Sequence, residues 1–374
     1  MPTPAAPDRH LGFACDLLRT HPAAGQDNAV VSPWSVSSAL AALAPGCDAA
    51  ARDEIVRALA PGATTNDLVA ALAGDAAQVT ASAAAAEDGS TLAVANTLWV
   101  DEGRTPSPAF AAGLERWPGA AVHSIRLAGD PEGARSTINA DVAATTRELI
   151  PEILPAGSIS PDDRAVIVNA LYLLAAWLEP FSPDATTDEP FHAPSGSRDV
   201  PTMQGLRDAA YTAGPGGGGY LALPLWGVLR AEILLPPAGA AATVLDASGL
   251  DDLRRRATTH RVDLHLPRFR VSSAYALDRP LQRLGIGRVF DASTRPLPEV
   301  VVEEPLHISG AFHAAVLRAD ERGIEGAAAT AMIARAVAYR ELPEVEMRVD
   351  RPFLVLITHR DTGAVLFLAR VAEP

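Results

Sequence analysis

Residues 321–331 read ERGIEGAAATA, and this stretch decides how the rest of the chain is interpreted. It starts with charged residues, continues almost entirely with small ones, and lies between two apolar, strand-like runs. A segment with so few large apolar side chains cannot build a core of its own. The composition therefore predicts a loop at the surface of the protein.

The same stretch also has the alternation of a β-strand. Successive side chains of a strand point to opposite faces, so alternate residues share a face. One such face contains only uncharged residues, namely Ile324, Gly326, Ala328, Thr330, Met332, Ala334 and Ala336. Glu325 and Arg335 belong to the other face. Because a charge turned into a core is very costly, this separation predicts a second state in which the loop is a strand of a sheet.

Four other segments carry a family resemblance. In chain order they are Asn28 with SPWS at 32–35, NALY at 169–172 followed by Trp177 and Phe181, HAAVL at 313–317 followed by DERG at 320–323, and MRVDRPFLVLI at 347–357. They resemble the start of the second helix, the central strand of the large sheet, the strand that feeds the reactive loop, and the signature after that loop in serpins. Serpins are metastable, loop-inserting serine protease inhibitors. The resemblance runs from about Phe13 to Ala372, nearly the whole chain.

The resemblance implies an α+β serpin fold with three β-sheets, eight to nine helices and an exposed reactive-centre loop at about residues 321–342. It implies one serpin domain over residues 1–374, and the sequence shows no linker or change of composition that would divide it. The apolar run at 165–174 is typical of a strand covered on both faces. Helices are predicted at 53–59, 66–72, 106–117, 135–149 and 245–258, and the resemblance places helix 135–149 across the main sheet.

The charge of the chain excludes one class of partner. The net charge is −14, which argues against nucleic acid, because binding it depends on a positive face. Arg254, Arg255 and Arg256 form the only basic cluster in the sequence, and we interpret them as a solvated helix face rather than a polyanion site. All 31 Lys and Arg positions are arginine, a bias typical of GC-rich bacterial genomes.

The cysteines and the first residues bear on the compartment. Cys15 and Cys47 lie in apolar helical contexts, which predicts two buried free thiols rather than a disulfide. Residues 1–8, MPTPAAPD, lack the basic start and apolar run of a secretory signal. We expect a cytoplasmic protein, or a secreted one if a leader has been removed.

No motif in the sequence indicates an enzyme. The glycine-rich run GPGGGG at 214–219 is followed by a strand-like segment and contains no lysine, so it predicts a surface loop rather than a phosphate site. The nine histidines show no metal-binding spacing, and no nucleophile elbow is present. Nothing marks a nucleophile beside a base, and we expect no metal, no cofactor and no catalytic residue.

The resemblance assigns roles to three groups of residues. The first group is the shutter, which controls separation of the sheet strands, and consists of Ser32, Ser35, Asn169 and His313. The second group is the breach, where the loop first enters the sheet, with Trp177 and with Arg268 placed to pair with Glu321. The third group is the hinge, with Glu321, Gly323, Ile324, Glu325, Gly326, Ala327, Ala328 and Ala329.

The resemblance also implies the function, a suicide inhibitor of a serine protease. The protease would attack the loop and form an acyl-enzyme, and the cleaved loop would insert into the main sheet before the acyl bond is hydrolysed. The implied partner is a serine protease in covalent complex, with no membrane and no cofactor, and the inhibitor is expected to be a monomer. The alternative is a non-inhibitory serpin that acts as a binding or chaperone-like protein.

The position of the cleaved bond follows from family spacing counted from Glu321. That spacing selects Val337–Ala338, which suits an elastase-like or subtilisin-like protease with a small apolar pocket. Tyr339, Arg340 and Arg335 remain alternatives for proteases of other specificity. Two hinge positions depart from the inhibitory pattern: Ile324 replaces the usual Thr or Ser, and Gly326 replaces the usual Ala.

Overall fold

The computed structural model describes residues 6–23, 25, 27–84, 91–242, 246–324, 342 and 344–374. These residues contain eight α-helices, in agreement with the predicted number. The helices are α1 (Ala6–Arg19), α2 (Pro33–Leu43), α3 (Ala49–Leu59), α4 (Thr65–Ala84), α5 (Pro108–Leu114), α6 (Pro131–Thr145), α7 (Ala247–Arg256) and α8 (Asp278–Arg283).

Helix α6 begins four residues before its predicted start. The Asp130 side chain accepts a hydrogen bond from the Gly133 N–H at 3.0 Å, and Pro131 occupies the first helical position. Both features favour a helix start at this point. The helix also ends earlier than predicted, because Arg147 and Glu148 have φ angles of 51° and 62°, outside the right-handed helical region.

The strands complete the mixed fold. They are β1 (Ala29–Val31), β2 (Thr91–Asp101), β3 (Ala120–Ile125), β4 (Ala165–Ala176), β5 (Thr187–Ala193), β6 (Gly196–Ala213), β7 (Gly219–Pro224), β8 (Leu229–Leu235), β9 (Thr258–Pro267), β10 (Phe269–Ala276), β11 (Gly310–Asp320), β12 (Gly323–Ile324), β13 (Glu344–Arg348), β14 (Phe353–His359) and β15 (Val365–Val371).

A six-stranded sheet has the order β10-β11-β12-β4-β2-β3. Strand β4 lies inside it and is covered on both faces, as its apolar run predicts. Leu171 and Leu173 belong to one apolar core, whereas Val166 and Val168 belong to another. Helix α6 contributes to the second core, so it covers that face of the sheet. Strand β4 is therefore an interior strand of this sheet, packed on both faces.

The remaining nine strands form one hydrogen-bonded sheet. Its path is β1-β15-β14-β8-β7-β6-β9-β13, and β5 pairs with β6 off this path. The long strand β6 belongs to two halves, since it pairs with β5 and β9 as well as with β7. The predicted fold has three sheets. In the structure, β6 joins two of these into one hydrogen-bonded sheet.

Several smaller predictions can be checked against the fold. Cys15 and Cys47 are buried and free, as predicted, and burial raises the pKa of Cys15 to about 11. The glycine-rich run precedes strand β7 and lies in a loop, also as predicted. None of the helices in the described ranges is long and apolar enough to cross a membrane.

The interpretation of the arginine cluster on α7 was wrong for one residue. Arg255 and Arg256 are exposed and pair with Asp251 and Asp252 on their own helix. Arg254 instead turns inward, where its Nε and Nη2 donate to the fully buried carboxylate of Glu232, each at 2.8 Å. The helix face is therefore only partly solvated, because one of its guanidinium groups neutralises a buried acid.

Candidate functional site

The predicted hinge begins as a short strand inside the six-stranded sheet. In β12, Gly323 pairs with Asp320 of β11 and Ala176 of β4, and Ile324 pairs with Ala319 and Ala175. Both pairings are antiparallel, so β12 lies between β11 and β4. The side chain of Ile324 is 1% exposed and belongs to the main apolar core. The first side chain of the predicted loop is thus already inside the sheet.

Gly323 is required by the close approach of this short strand to β4. Its φ is +154°, and a Cβ at this position would lie 2.3 Å from the Ala175 carbonyl oxygen and 2.6 Å from the Ala176 Cα. Real Cβ atoms do not tolerate such distances to backbone, so any other residue would push β12 out of place. The turn before it is fixed by backbone hydrogen bonds from Trp177 N–H to Arg322 and from Phe181 N–H to Glu321.

Beyond the hinge, β11 and β4 contact each other directly. They pair in parallel from Gly310 with Val166 to Ala315 with Leu171. In the described part of the chain, residues 172–174 of β4 have no strand partner on the side that faces β11. The two strands therefore lie together at one end and are separated by β12 at the other.

The predicted breach residues lie around this separated end. The Trp177 Nε1–H donates to the Asp320 carbonyl oxygen at 2.7 Å, and its ring meets that of Phe181 edge-on at 6.0 Å. Arg207, which no motif in the sequence indicated, also belongs here: its guanidinium lies 4.2 Å from the Phe181 ring centre. These contacts tie the end of β4 to the turn that leads into the hinge.

Arg268 pairs with Glu321, as the resemblance implied. Its Nε and Nη2 donate to Glu321 Oε1 at 2.7 and 2.6 Å, and the Thr186 hydroxyl donates to the same oxygen at 2.5 Å. Burial of Glu321 opposes its ionisation, but the hydrogen bonds from Thr186 and Arg268 outweigh it and lower the pKa of this carboxyl. Because its pKa is lowered, the carboxylate stays charged beside the hinge although the residue is only 7% exposed.

The four predicted shutter residues are completely buried and hydrogen-bonded to one another. The Ser32 N–H donates to His313 Nε2 at 3.0 Å, so this ring nitrogen is the acceptor. The proton is then on Nδ1, which donates to Asn169 Oδ1 at 2.6 Å. The Asn169 amide in turn donates to Ser35 Oγ at 2.8 Å. Burial lowers the pKa of His313 to about 3, which keeps the imidazole neutral.

Two further residues complete this network and were missed in the sequence. Asn96 of β2 is the register partner of Asn169, and its Oδ1 accepts from Ser35 Oγ at 3.1 Å and from the Asn169 amide. Tyr275 of β10 is the register partner of His313 and meets its ring edge-on at 5.7 Å. The available signal for Asn96 was an amide side chain in the middle of the largely apolar segment TLAVANTLWV at 91–100.

Comparison with known proteins identifies the family. A family model described as Serpin (serine protease inhibitor) matches residues 9–374. The chain is a member of the serpin family. It is similar to the leukocyte elastase inhibitor of Sus scrofa, with 31% identity over 97% of each chain, and to the putative serpin-Z6C of Oryza sativa subsp. japonica, with 31% identity over 93% of this chain and 91% of the relative.

Solved structures agree with this family at the level of the fold. A thyroxine-binding globulin complex with thyroxine has a TM-score of 0.84 and 24% identity, and covers 98% of this serpin and 99% of the globulin. Tengpin, a thermophilic serpin in its native state, has a TM-score of 0.84 and 21% identity over 98% of this chain and 94% of its own. The family is described as one of serine protease inhibitors rather than enzymes, and the members similar to this chain include leukocyte elastase inhibitors and antithrombin-III.

The remaining predicted residues of this serpin are outside the described ranges. They are Glu325, Gly326, Ala327, Ala328 and Ala329 of the hinge, the bond Val337–Ala338, and the alternatives Arg335, Tyr339 and Arg340. Within the described residues, no group of three or more His, Cys, Asp or Glu side chains is arranged to hold a metal ion. The described site therefore consists of the start of the hinge, the breach and the shutter, which surround one pair of strands.

Proposed function

We propose that this serpin is a suicide inhibitor of a serine protease. The observation that carries the proposal is the position of β12, which occupies the first two residues of a strand between β11 and β4. Residues that follow Ile324 need only continue the same antiparallel pairing to become a complete strand. Their alternation of uncharged and charged residues continues the buried orientation of Ile324.

The proposed reaction begins as ordinary proteolysis. The serine Oγ of the protease bonds to the carbonyl carbon of the attacked residue, the C–N bond breaks, and the new amine leaves with a proton. For the bond Val337–Ala338, the acyl group would be on Val337. The freed segment then inserts between β11 and β4 with the protease attached, a form of strand addition. Insertion has to distort the protease before water hydrolyses the acyl bond.

The shutter sets the barrier to this insertion. His313 and Asn169 are direct register partners across β11 and β4, and their side chains are hydrogen-bonded at 2.6 Å. A strand inserted between them has to break this bond and the parallel pairing around it. A fully buried polar network resists opening, because its groups lose partners before they find new ones. We therefore propose that the network holds the native state until cleavage frees the loop.

The target is proposed from the loop sequence. A small aliphatic residue at Val337 suits an elastase-like or subtilisin-like protease, and the relatives that are named elastase inhibitors support this class. Arg335, Tyr339 and Arg340 would instead select trypsin-like or chymotrypsin-like enzymes.

The test is to mix the protein with subtilisin, elastase, chymotrypsin and trypsin and to analyse each mixture on a denaturing gel. We expect a covalent complex of higher mass with one of the first two enzymes. Mass spectrometry of the released peptide would identify the bond. We also expect the cleaved protein to melt at a much higher temperature than the intact one. Cleavage without a complex and without a change in melting temperature would contradict inhibition and favour the non-inhibitory alternative.

A further inference from the structure

A surface cavity beside the hinge contains an unusual concentration of arginine. Its volume is about 620 Å³, and it is lined by Arg268, Arg270, Arg318 and Arg322 together with Asp320 and Glu321. Four positive and two negative side chains give +2, and the terminal carboxylate of Pro374, which also lines the cavity, reduces the local charge to +1, in a chain whose net charge is −14. Such a reversal of sign within a concave surface concentrates anions.

Two of these arginines face each other directly. Arg270 of β10 and Arg318 of β11 are register partners in the antiparallel pair, and both are exposed on the same side of the sheet. Cross-strand partners have Cβ atoms about 4.5–5.5 Å apart, and like charges in this position destabilise the pair. In a chain with an excess of acidic residues, the positive charges of Arg270 and Arg318 thus lie where they repel each other.

The other charges of the cavity leave this pair largely uncompensated. Arg268 is committed to Glu321, with both contacts below 2.8 Å. Arg318 has only a long contact of 3.4 Å to Asp320, and Arg270 has no ion pair among the described residues. Some exposed arginines elsewhere have a close acidic partner, as Arg256 has in Asp252 at 2.8 Å and Arg295 has in Glu304 at 2.8 Å.

We propose that this cavity binds an oxyanion of phosphate or sulfate type, with at least two negative charges, between Arg270 and Arg318. A guanidinium group presents a planar fork of N–H donors that matches the tetrahedral oxygens of these anions. Bound there, the anion neutralises the cross-strand repulsion. A singly charged carboxylate balances only one of the two positive charges, which favours phosphate and sulfate groups as the ligand class.

The site adjoins the hinge but does not depend on inhibition. Asp320, which contacts Arg318, also accepts a hydrogen bond from the Arg322 N–H at 2.9 Å in the turn before β12. An anion on Arg318 therefore acts on the same turn that positions Gly323. Failure of protease trapping would leave the binding prediction intact, and failure of anion binding would leave the proposed function intact.

The test is calorimetric titration with tripolyphosphate and, separately, with sucrose octasulfate at constant ionic strength. Binding of either anion to the unaltered protein is expected, together with an upward shift of its melting temperature, because a ligand of the native state stabilises it. The anion that binds more tightly shows whether the site prefers phosphate or sulfate groups. Absence of binding by both anions at up to about 10 mM, where a ligand with a Kd of about 1 mM would stabilise the fold measurably, would overturn the proposal.

Charge reversals provide the decisive comparison. Arg270→Glu should weaken binding at least about tenfold, because it removes one fork of charge-assisted hydrogen bonds and repels the anion. Arg126→Glu is the matched control: this arginine is also exposed and pairs with Glu102. It directly follows β3, at the opposite edge of the six-stranded sheet from β10, and should leave binding within about twofold, since surface charges beyond a Debye length are screened. Equal weakening by both variants would show an adventitious ion only and would overturn the site.

A second variant protects the test against misfolding. Arg270→Glu places opposite charges across β10 and β11, so the variant should melt no lower than the unaltered protein in the absence of anion. Arg318→Gln keeps a polar side chain at the partner position and should also weaken binding several-fold. Anion affinity that is unchanged in Arg318→Gln would contradict the proposed placement of the ligand.

Discussion

The contact between β4 and β11 differs at its two ends. At the hinge end the strands are already separated, and Gly323 and Ile324 occupy the space between them with strand hydrogen bonds to both sides. At the shutter end the strands are in direct parallel contact, and His313 and Asn169 join them through a completely buried hydrogen bond. The same two strands thus contain a formed entrance and a closed interior.

This difference shows where the resistance to insertion lies. At the entrance β4 and β11 are not paired with each other, so an incoming segment has no strand contact to break there. The next inserting residues would lie beside residues 172–174 of β4, which have no partner on that side among the described residues. In the interior, an inserting strand still has to break a hydrogen-bond network of four side chains and one backbone N–H. We therefore expect substitutions in the inserting segment to control whether insertion ends in a stable sheet, and substitutions in the shutter to control how soon the sheet opens.

The largest expected effect comes from a charge on the inward face of the inserting segment. Ile324 is buried, so alternation places Ala328 inward and Glu325 on the other face once the strand forms. Ala328→Arg should abolish both the covalent complex and the rise in melting temperature after cleavage, because burial of an unpaired charge costs several kcal/mol. Denaturing gels and thermal melts of the cleaved protein measure the two outcomes.

A residue on the other face of the strand is the control for that experiment. Glu325→Arg places the same side chain where the sequence already has a charge, beside the half-buried Leu174 if the register of β12 continues, and should retain both the complex and the increase in melting temperature. Equal loss in the two variants would mean that the segment does not insert with the alternation set by Ile324, and the comparison between entrance and interior would lose its basis.

The second effect concerns the closed end. Asn169→Ala removes a partner from His313, Ser35 and Asn96, and should lower the free energy of unfolding by about 1–3 kcal/mol, the penalty for leaving buried polar groups unpaired. It should also speed the loss of inhibitory activity on storage, because the strands separate more easily. Urea unfolding and timed activity assays measure the two quantities.

Asn139 offers a matched control within the same protein. Its side chain is buried too, but it hydrogen-bonds to the backbone of Ile153 and Leu154 and does not join β4 to β11. Asn139→Ala should lower stability to a similar extent without a comparable increase in the rate of inactivation. Identical inactivation rates in the two variants would show that the shutter network acts on stability alone.

The closed end was more predictable from sequence than the entrance. A continuous apolar run of this length is typical of a strand buried on both faces, so the sequence identifies β4. The observed strand extends the predicted 165–174 by only two residues. The approach of His313 to Asn169 followed from a family resemblance, not from the residues themselves. Asn96 was missed because one polar residue in a predicted strand is ordinarily an exposed one, and only the three-dimensional register shows its partner.

The entrance depends on packing that local sequence does not contain. Alternation over 324–336 predicts that the segment is able to form a strand, but not that Gly323 and Ile324 already do so in the intact protein. That outcome depends on the space between β4 and β11. Helix α4 gives a similar lesson: it runs to Ala84, twelve residues past its predicted end, because its second half is rich in alanine, which has a high helix propensity but a weak apolar pattern.

The third effect is a dependence of stability on pH from the closed end. His313 has a folded-state pKa of about 3 against an ordinary value of 6.5, so the unfolded chain binds its proton first. Stability is therefore complete above about pH 6.5 and falls toward pH 3, by at most about 1.4 kcal/mol per pH unit for this one group. Chemical unfolding between pH 7.5 and 4.5 measures the slope.

His21 contributes a slope of the same sign and must be separated from it. Burial lowers its pKa to about 4, and its ring meets that of Tyr275 edge-on at 4.5 Å, the same Tyr275 that contacts His313. His313→Gln should reduce the slope by roughly half, since one of two shifted groups is removed, and His21→Gln should do the same. An unchanged slope in His313→Gln would mean that this imidazole is not kept neutral by the closed strands.

The smallest effect belongs to the entrance. Arg268→Ala leaves Glu321 with only Thr186 as a side-chain partner and should lower stability by less than about 1 kcal/mol, because the arginine is largely exposed and its charge is screened. The pKa of Glu321 is lowered in the folded state, so its contribution is present above its ordinary value of 4.5 and is lost as the pH falls through the folded pKa. The difference between Arg268→Ala and the unaltered protein should therefore shrink in acid, whereas a difference that persists below the folded pKa would assign the effect to lost packing of the arginine side chain. Because this pair anchors the turn before β12 and not the strands themselves, we expect the variant to leave the storage stability of the inhibitor unchanged, in contrast to Asn169→Ala.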